Sequence, residues 1–391
     1  MQPERKLLIF AAAALIGLGL LMVYSSSITA RPSFADQRYL TRQLYFLGAG
    51  LALAIAAARV PVAAWRLAAT PLFIVSAALL AVVLLPGVGT TRNGAQRWFS
   101  VGSYSFQPSE LAKFTLVLFL ARGLERKGES VRRFWTGWLP LAAPCVVVSG
   151  LVLLEPDFGT AVFLLAVTAI MLFVGGMPYA HALAAGLLAV PVVAVLAWAQ
   201  PYRVKRLLQF AEAWRDPTAA SYHVQQSLVA LGSGGIWGAG LGQGWQKLGF
   251  LPEANTDFIF AVLGEELGLV GTLTVLVLWC ALLVCGVRLA RQAGIEPFAR
   301  FVGFGLTAQL VLQALFNIGV VTGSLPPKGI SLPFLSAGGS NLVASLVSVG
   351  VVLGVTQTVG ASKIDDRESP RGGTPVANLR REAKRMTEKA A

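Results

Sequence analysis

The sequence predicts an all-α, polytopic membrane protein with ten transmembrane helices and a long extracytoplasmic loop that carries short helices. Three observations predict it. Apolar residues make up 55% of the 391 and charged ones only 13%, against roughly 25% charged in a soluble domain, and the mean hydropathy is +0.67. Ten apolar runs approach the roughly 20 residues that cross a hydrocarbon core. The basic residues, which give a net charge of +13, concentrate on one side of those runs. Cys145, Cys280 and Cys285 all lie in apolar stretches, which excludes a disulfide framework. Two histidines, His181 and His223, are too few for a multi-histidine metal centre.

In order, the runs cover about 7–24, 43–58, 67–85, 107–121, 137–154, 158–174, 180–199, 257–287, 301–323 and 339–359. The first follows Arg5-Lys6 as a signal peptide would. No small-residue cleavage site succeeds Ser25, Ser26 and Ser27, so it reads as a retained span. With the N-terminus inside, the inner segments hold 20 of the 32 Lys and Arg and the outer segments 11, although the outer ones are longer. That asymmetry predicts that both termini are cytoplasmic. It also directs the positive charge to a membrane surface and not to nucleic acid.

Residues 1–359 therefore read as one membrane domain, and 360–391 as a basic cytoplasmic tail. The tail mixes Pro, Gly and both charges without apolar periodicity, so it reads as disordered up to a short basic helix near 379–389. It either touches anionic lipid headgroups as a topology anchor or docks a cytoplasmic partner. The outer segment 200–256 exceeds the roughly 12–15 residues of an ordinary connection. Val204, Leu207, Leu208, Ala211 and Trp214 form one face opposite Arg203, Lys205 and Arg206, an amphipathic helix suited to a membrane surface. Asp216-Pro217 ends it, a second short helix spans 222–231, and a stretch with seven glycines between Gly232 and Gly244 follows.

Ionisable residues in or beside apolar helices mark candidate sites, since a charge at mid-bilayer costs at least about 2.5–3.5 kcal/mol. Glu110, Lys113, Asp157 and Asp257 converge near the outer end of the predicted bundle. Each has a structural alternative: Glu110 and Lys113 are an i,i+3 pair that neutralises itself, and Asp157 and Asp257 stand where N-caps stand. Glu265 and Glu266, placed about 12–13.5 Å deeper by helical rise, read as helix–helix hydrogen-bonding groups. Arg42, Arg92, Arg97 and Lys328 surround the outer cluster. Carboxylates among cations at a membrane surface suit a substrate bearing phosphates and a hydroxyl that must lose its proton.

Specific strings carry a resemblance beyond this chemistry. LPEANTDFIFAVLGEELGLVG (251–271), NGAQRWFSVGSYSFQPSELAK (93–113), EPDFGTA (155–161), SLVALGSGGIWGAGLGQGWQKLGFLPEA and LPFLSAGGSNLVASL (332–346) resemble, in order, the motifs of the SEDS family, the shape, elongation, division and sporulation proteins. The likeness covers about residues 7–358. Gly240-Leu241-Gly242-Gln243 and Gly264-Glu265-Glu266-Leu267-Gly268 are closer to the division-septum branch than to the elongation branch.

The resemblance implies a ten-helix peptidoglycan glycosyltransferase that polymerises lipid II at the outer membrane face beside a class B penicillin-binding protein, with other divisome or elongasome proteins as further partners. It assigns Asp257 as the essential acid and places Arg97, Gln107, Glu110, Lys113, Asp157 and Ser340 on family motif positions. Two positions depart from the family pattern. Asn255 replaces a histidine, and Ala337-Gly338-Gly339-Ser340-Asn341 replaces Tyr-Gly-Gly-Ser-Ser. A mechanism follows in which Asp257 is the general base for an inverting transfer. Arg97, Lys113, Arg42 and Lys328 are candidate holders of the leaving diphosphate. A divalent cation, Mg or Mn, shared by Glu110, Asp157 and Asp257 is a further candidate. The alternatives are an elongation-type polymerase, a lipid II flippase, for which the sequence offers no clear internal repeat, and a scaffold that only recruits the crosslinking enzyme.

Overall fold

The computed structural model describes residues 2–27, 34–92, 94–102, 104–198, 201–294 and 296–368. Each of the ten apolar runs coincides with a helix. They are α1 (Pro3–Ser26), α2 (Phe34–Arg59), α3 (Val62–Val83), α4 (Pro108–Lys127), α5 (Leu139–Leu154), α6 (Phe158–Val174) and α7 (Tyr179–Trp198). After α8 (Pro201–Ala213) and α9 (Tyr222–Ser233) come α10 (Ile259–Gln292), α11 (Pro297–Val321) and α12 (Gly339–Glu368). Among the described residues seven are long and apolar enough to cross a membrane: α1, α2, α3, α5 with its leading turn from Phe134, α10, α11 and α12. The other three fall short for physical reasons. Glu110, Lys113, Arg122, Glu125, Arg126 and Lys127 break the apolarity of α4, α6 has only 17 residues, and the described apolar part of α7 ends at Leu188.

The fold is not purely helical. Between the third and fourth apolar runs, residues 90–106 form a three-stranded antiparallel sheet of β1 (Thr90–Arg92), β2 (Ala95–Val101) and β3 (Tyr104–Phe106). Phe99 pairs with Phe106, and the sheet runs directly into α4. The amphipathic helix and its successor are present as α8 and α9. Between them Asp216 accepts from the Thr218 N–H at 2.9 Å, the local turn that stops α8. The backbone of α12 continues as helix to Glu368, past the predicted end of the span, and the proposed basic helix near 379–389 lies outside the described residues.

The bundle is tied at its two ends by different chemistry. The largest helix pairings are α2 with α12, α1 with α10, α3 with α4 and α10 with α11. At one end Arg66 of α3 bridges Glu125 of α4 at 3.1 Å and also pairs with Glu296 at the start of α11. At the other end, where α4 begins and α11 finishes, a cavity opens.

The tenth helix is two segments. It starts at Ile259, not at Asp257, and Gly268 breaks it with φ 65° and ψ −159°, a conformation open to glycine and costly for other residues. The break lets the glycine-rich loop close on the short first segment. Ala239 and Gly240 donate to the carbonyls of Glu265 and Glu266, while Leu269 and Val270 donate to Gly235 and Ile236.

Candidate active site

A cavity of about 640 Å³ lies among the sheet, the starts of α2, α4, α6 and α12, and the loops before α10 and after α11. Arg42, Arg97, Gln107, Glu110, Asp157, Asp257, Lys328 and Ser340 all line it. One expected residue does not. Lys113 is only 4% exposed and sits behind Glu110. It donates to Glu110 at 2.8 Å and to Gln313 Oε1 of α11 at 2.8 Å, which ties two helices together beneath the cavity floor. The Arg92 side chain lies outside the described residues.

Asp257 is held by its backbone and open at its side chain. Its carbonyl accepts from Asn317 Nδ2 at 2.7 Å, the Thr256 carbonyl accepts from Ser336 at 2.6 Å, and the Asn255 carbonyl accepts from the Ala337 N–H at 2.9 Å. The strap 332–337 and α11 thus clamp the segment that carries the acid. Phe258 occupies the N-cap position of α10 and no side chain caps it, so Asp257 does not serve as the cap. Its Oδ2 lies over Gly329, where a Cβ would come within 2.8 Å. Burial pushes the carboxyl up to about 7, Glu253 and Asp157 add to the rise, and Arg97 opposes it.

Asp157 has the structural role considered for it and lines the cavity as well. It caps α6 by accepting from the Thr160 N–H at 3.0 Å and the Thr160 hydroxyl at 2.9 Å, and its Oδ2 pairs with Arg97 at 3.2 Å. Lys328 extends over the Phe158 ring at 4.9 Å. Burial lowers its pKa, and Asp157 counters that. Arg42 donates to Ser105 Oγ at 2.9 Å, and Ser340 bridges sheet and α4 by donating to the Ser105 carbonyl at 3.2 Å and accepting from the Gln107 N–H at 3.3 Å. Four cations, Arg42, Arg97, Arg206 and Lys328, and the unbonded Asp257 carboxylate therefore share one cavity, in which a diphosphate can be held while a hydroxyl is deprotonated.

The three carboxylates suggested as a cation site do not meet. Among the described residues no group of three acidic, His or Cys side chains could hold a metal ion; Glu110 is paired with Lys113 and Asp157 with Arg97.

The surroundings of several further charged groups were not visible from sequence pattern. Glu155 is fully buried, neither carboxyl oxygen has a partner, and burial with Asp157 nearby pushes it up to about 8. Glu265 and Glu266 do not bond helix to helix alone. Glu265 accepts from the Trp245 N–H at 2.7 Å and from the Gln246 N–H. Glu266 accepts from the Gly242 N–H at 3.0 Å and from Lys247 at 2.6 Å, and Ser25 of α1 completes the cluster. Lys247 is buried, with a side chain only 1% exposed.

Comparison with known proteins bears on this geometry. The family of cell cycle proteins that unites FtsW, RodA and SpoVE matches residues 5–360. A Geobacter sp. protein named probable peptidoglycan glycosyltransferase FtsW is 42% identical, covering 90% of this chain and 96% of its own. Stage V sporulation protein E of Bacillus subtilis is 39% identical over 90% of this chain and 96% of its own. Among solved structures, a chain from a peptidoglycan synthase complex described as coordinating polymerization and crosslinking superposes with a TM-score of 0.74 at 35% identity, covering 90% of this chain and 97% of that one. Thermus thermophilus RodA gives 0.65 at 33% identity, covering 90% and 95%. Matched across nearly its whole membrane part in sequence and fold, the chain belongs to the FtsW, RodA and SpoVE family, the SEDS proteins whose motifs it carries.

Proposed function

We propose that this protein is a peptidoglycan glycosyltransferase of the FtsW type, which polymerises lipid II into β-1,4 glycan during septal wall synthesis. The observation that carries the reading is Asp257. It is fixed through its backbone, open at its carboxylate and pushed up to about 7 by burial, in a cavity that Arg97, Arg42 and Lys328 also line. Relatives at about 40% identity bear the glycosyltransferase name.

In the reaction, the acceptor's 4-hydroxyl attacks the anomeric carbon of the donor, and its proton passes to Asp257. The bond from that carbon to the phosphate oxygen breaks, and the polyprenyl diphosphate leaves with the electron pair. A single displacement converts the α-linked donor into a β-linked product. Arg97, Arg42 and Lys328 stabilise the charge that develops on the leaving diphosphate. A base with a pKa near the working pH suits this step, because it is ionised before the reaction and still basic enough to take the proton.

The proposed topology has ten crossings with both termini cytoplasmic. The Arg66–Glu125–Glu296 cluster then faces the cytoplasm and the cavity faces outward, where assembled wall precursor is used. A class B penicillin-binding protein is the proposed partner, supported by the likeness to a chain of a polymerising and crosslinking complex. Asp257→Asn tests the assignment. Glycan synthesis from purified lipid II falls by about 10²–10⁴-fold while membrane insertion is unchanged, and full synthesis by the variant would overturn it.

A further inference from the structure

Polymerising a lipid-linked sugar requires two prenyl diphosphates at once, and the cations around Asp257 account for only the leaving one. The acceptor also carries a diphosphate, at the far end of its disaccharide from the attacking 4-hydroxyl. Its seat must therefore lie away from Asp257 yet be continuous with the same cavity.

Among the described residues, the junction of two cavities meets that requirement. A second cavity of about 240 Å³ lies between α8, α9 and the end of α11. Arg206 and Ser221 line both cavities, whereas Phe210, Trp214 and Leu228 line only the second. Ser221 is the N-cap residue of the twelve-residue α9, but its hydroxyl makes no capping bond and its buried Oγ has no hydrogen-bond partner. The junction thus offers a cation, an unused hydroxyl and a helix N-terminus, the combination that binds phosphate. Beyond it the wall becomes apolar, on an amphipathic helix with Leu208 and Trp214 exposed.

We propose that this junction seats the acceptor's diphosphate on Arg206, Ser221 and the first turn of α9, with the start of its prenyl chain in the groove of Phe210, Trp214 and Leu228. The assignment rests on the glycosyltransferase reading and adds to it an order of substrates: leaving diphosphate near Arg97, acceptor diphosphate at α8 and α9.

The test uses full-length Asp257→Asn protein in lipid nanodiscs, which holds substrates without turnover, and two photoreactive lipid II probes with a diazirine on the first isoprene unit. One has a free 4-hydroxyl; the other is capped there and serves only as donor. The free probe labels the segment from Phe210 to Leu228, and the capped probe does not. Arg206→Gln weakens binding of the free probe to that segment about tenfold, or ~1.4 kcal/mol, and leaves the capped probe unaffected. Equal labelling of the groove by both probes, or labelling of neither probe there, overturns the proposal. If the unmodified protein makes no glycan at all, the glycosyltransferase reading fails instead.

Discussion

The rate of glycan synthesis should follow the ionisation of one carboxylate, and the residues around it say how to move that midpoint. With the Asp257 carboxyl pushed up to about 7, about a tenth of it is ionised at about pH 6 and about nine-tenths at about pH 8, so kcat/KM rises roughly tenfold across that interval. The sign follows from the role: a general base works deprotonated, so activity is lost as pH falls through its pKa. Glu253 is an exposed carboxylate whose charge raises that pKa, and its side chain otherwise bonds the Thr256 hydroxyl at 2.9 Å. Glu253→Gln removes the charge and keeps the shape, so the acid limb moves to lower pH and the variant outperforms the parent at about pH 6 while matching it at about pH 8. The assay is initial-rate polymerisation of fluorescent lipid II across pH, resolved on gels, in detergent and in nanodiscs. A flat profile from about pH 6 to 8, or a limb that stays in place in Glu253→Gln, would falsify the identification of Asp257 as the base.

Three further outcomes follow from the packing. Gly329→Ala places a Cβ 2.8 Å from Asp257 Oδ2, which turns the carboxylate aside; kcat drops by at least about tenfold with thermal stability held, and an unchanged kcat would show the contact to be harmless. Lys247→Met strands a buried Glu266 carboxylate and lowers stability by about 3–5 kcal/mol, whereas Lys247→Met with Glu266→Gln recovers most of it in a double-mutant cycle read by detergent melting. Glu155 has a folded-state pKa raised to about 8, so its protonated form favours folding at low pH and that contribution is lost as pH rises from its unfolded value through about 8. Glu155→Gln therefore flattens the decline in melting temperature over that range; an unaltered slope would assign the decline elsewhere.

How much was legible differs by level. The helices were legible because each needs only a long apolar run, a local property that survives without knowledge of neighbours. The small sheet was not: its strands of three, seven and three residues mix Arg, Gln and Ser with Trp and Phe, and nothing in so short a stretch separates a strand from a loop. Asp257 was found through charge in an apolar context and a motif, but its position depends on Asn317, Ser336 and Ala337, which bond the carbonyls of residues 257, 256 and 255 from 60, 80 and 82 positions away. Lys113 shows the converse ambiguity, since the sequence offered it both as a diphosphate holder and as the partner of Glu110. A cation one turn from a site reads as a ligand holder, and only packing against Gln313 reveals it as a tie between helices. The burial of Lys247 left no mark in the sequence, because its partner Ser25 is 222 residues distant.

That burial turns Lys247 into a chemical clock. A primary amine with a side chain 1% exposed is shielded from acylating reagents while the glycine-rich loop stays closed on α10, and it reacts only in molecules where the loop has lifted. Its labelling rate under native conditions therefore counts openings of the segment that leads to Asp257. Read beside the polymerisation rate, with substrate or partner present, that count tells whether the loop moves once per sugar added or stays shut through many.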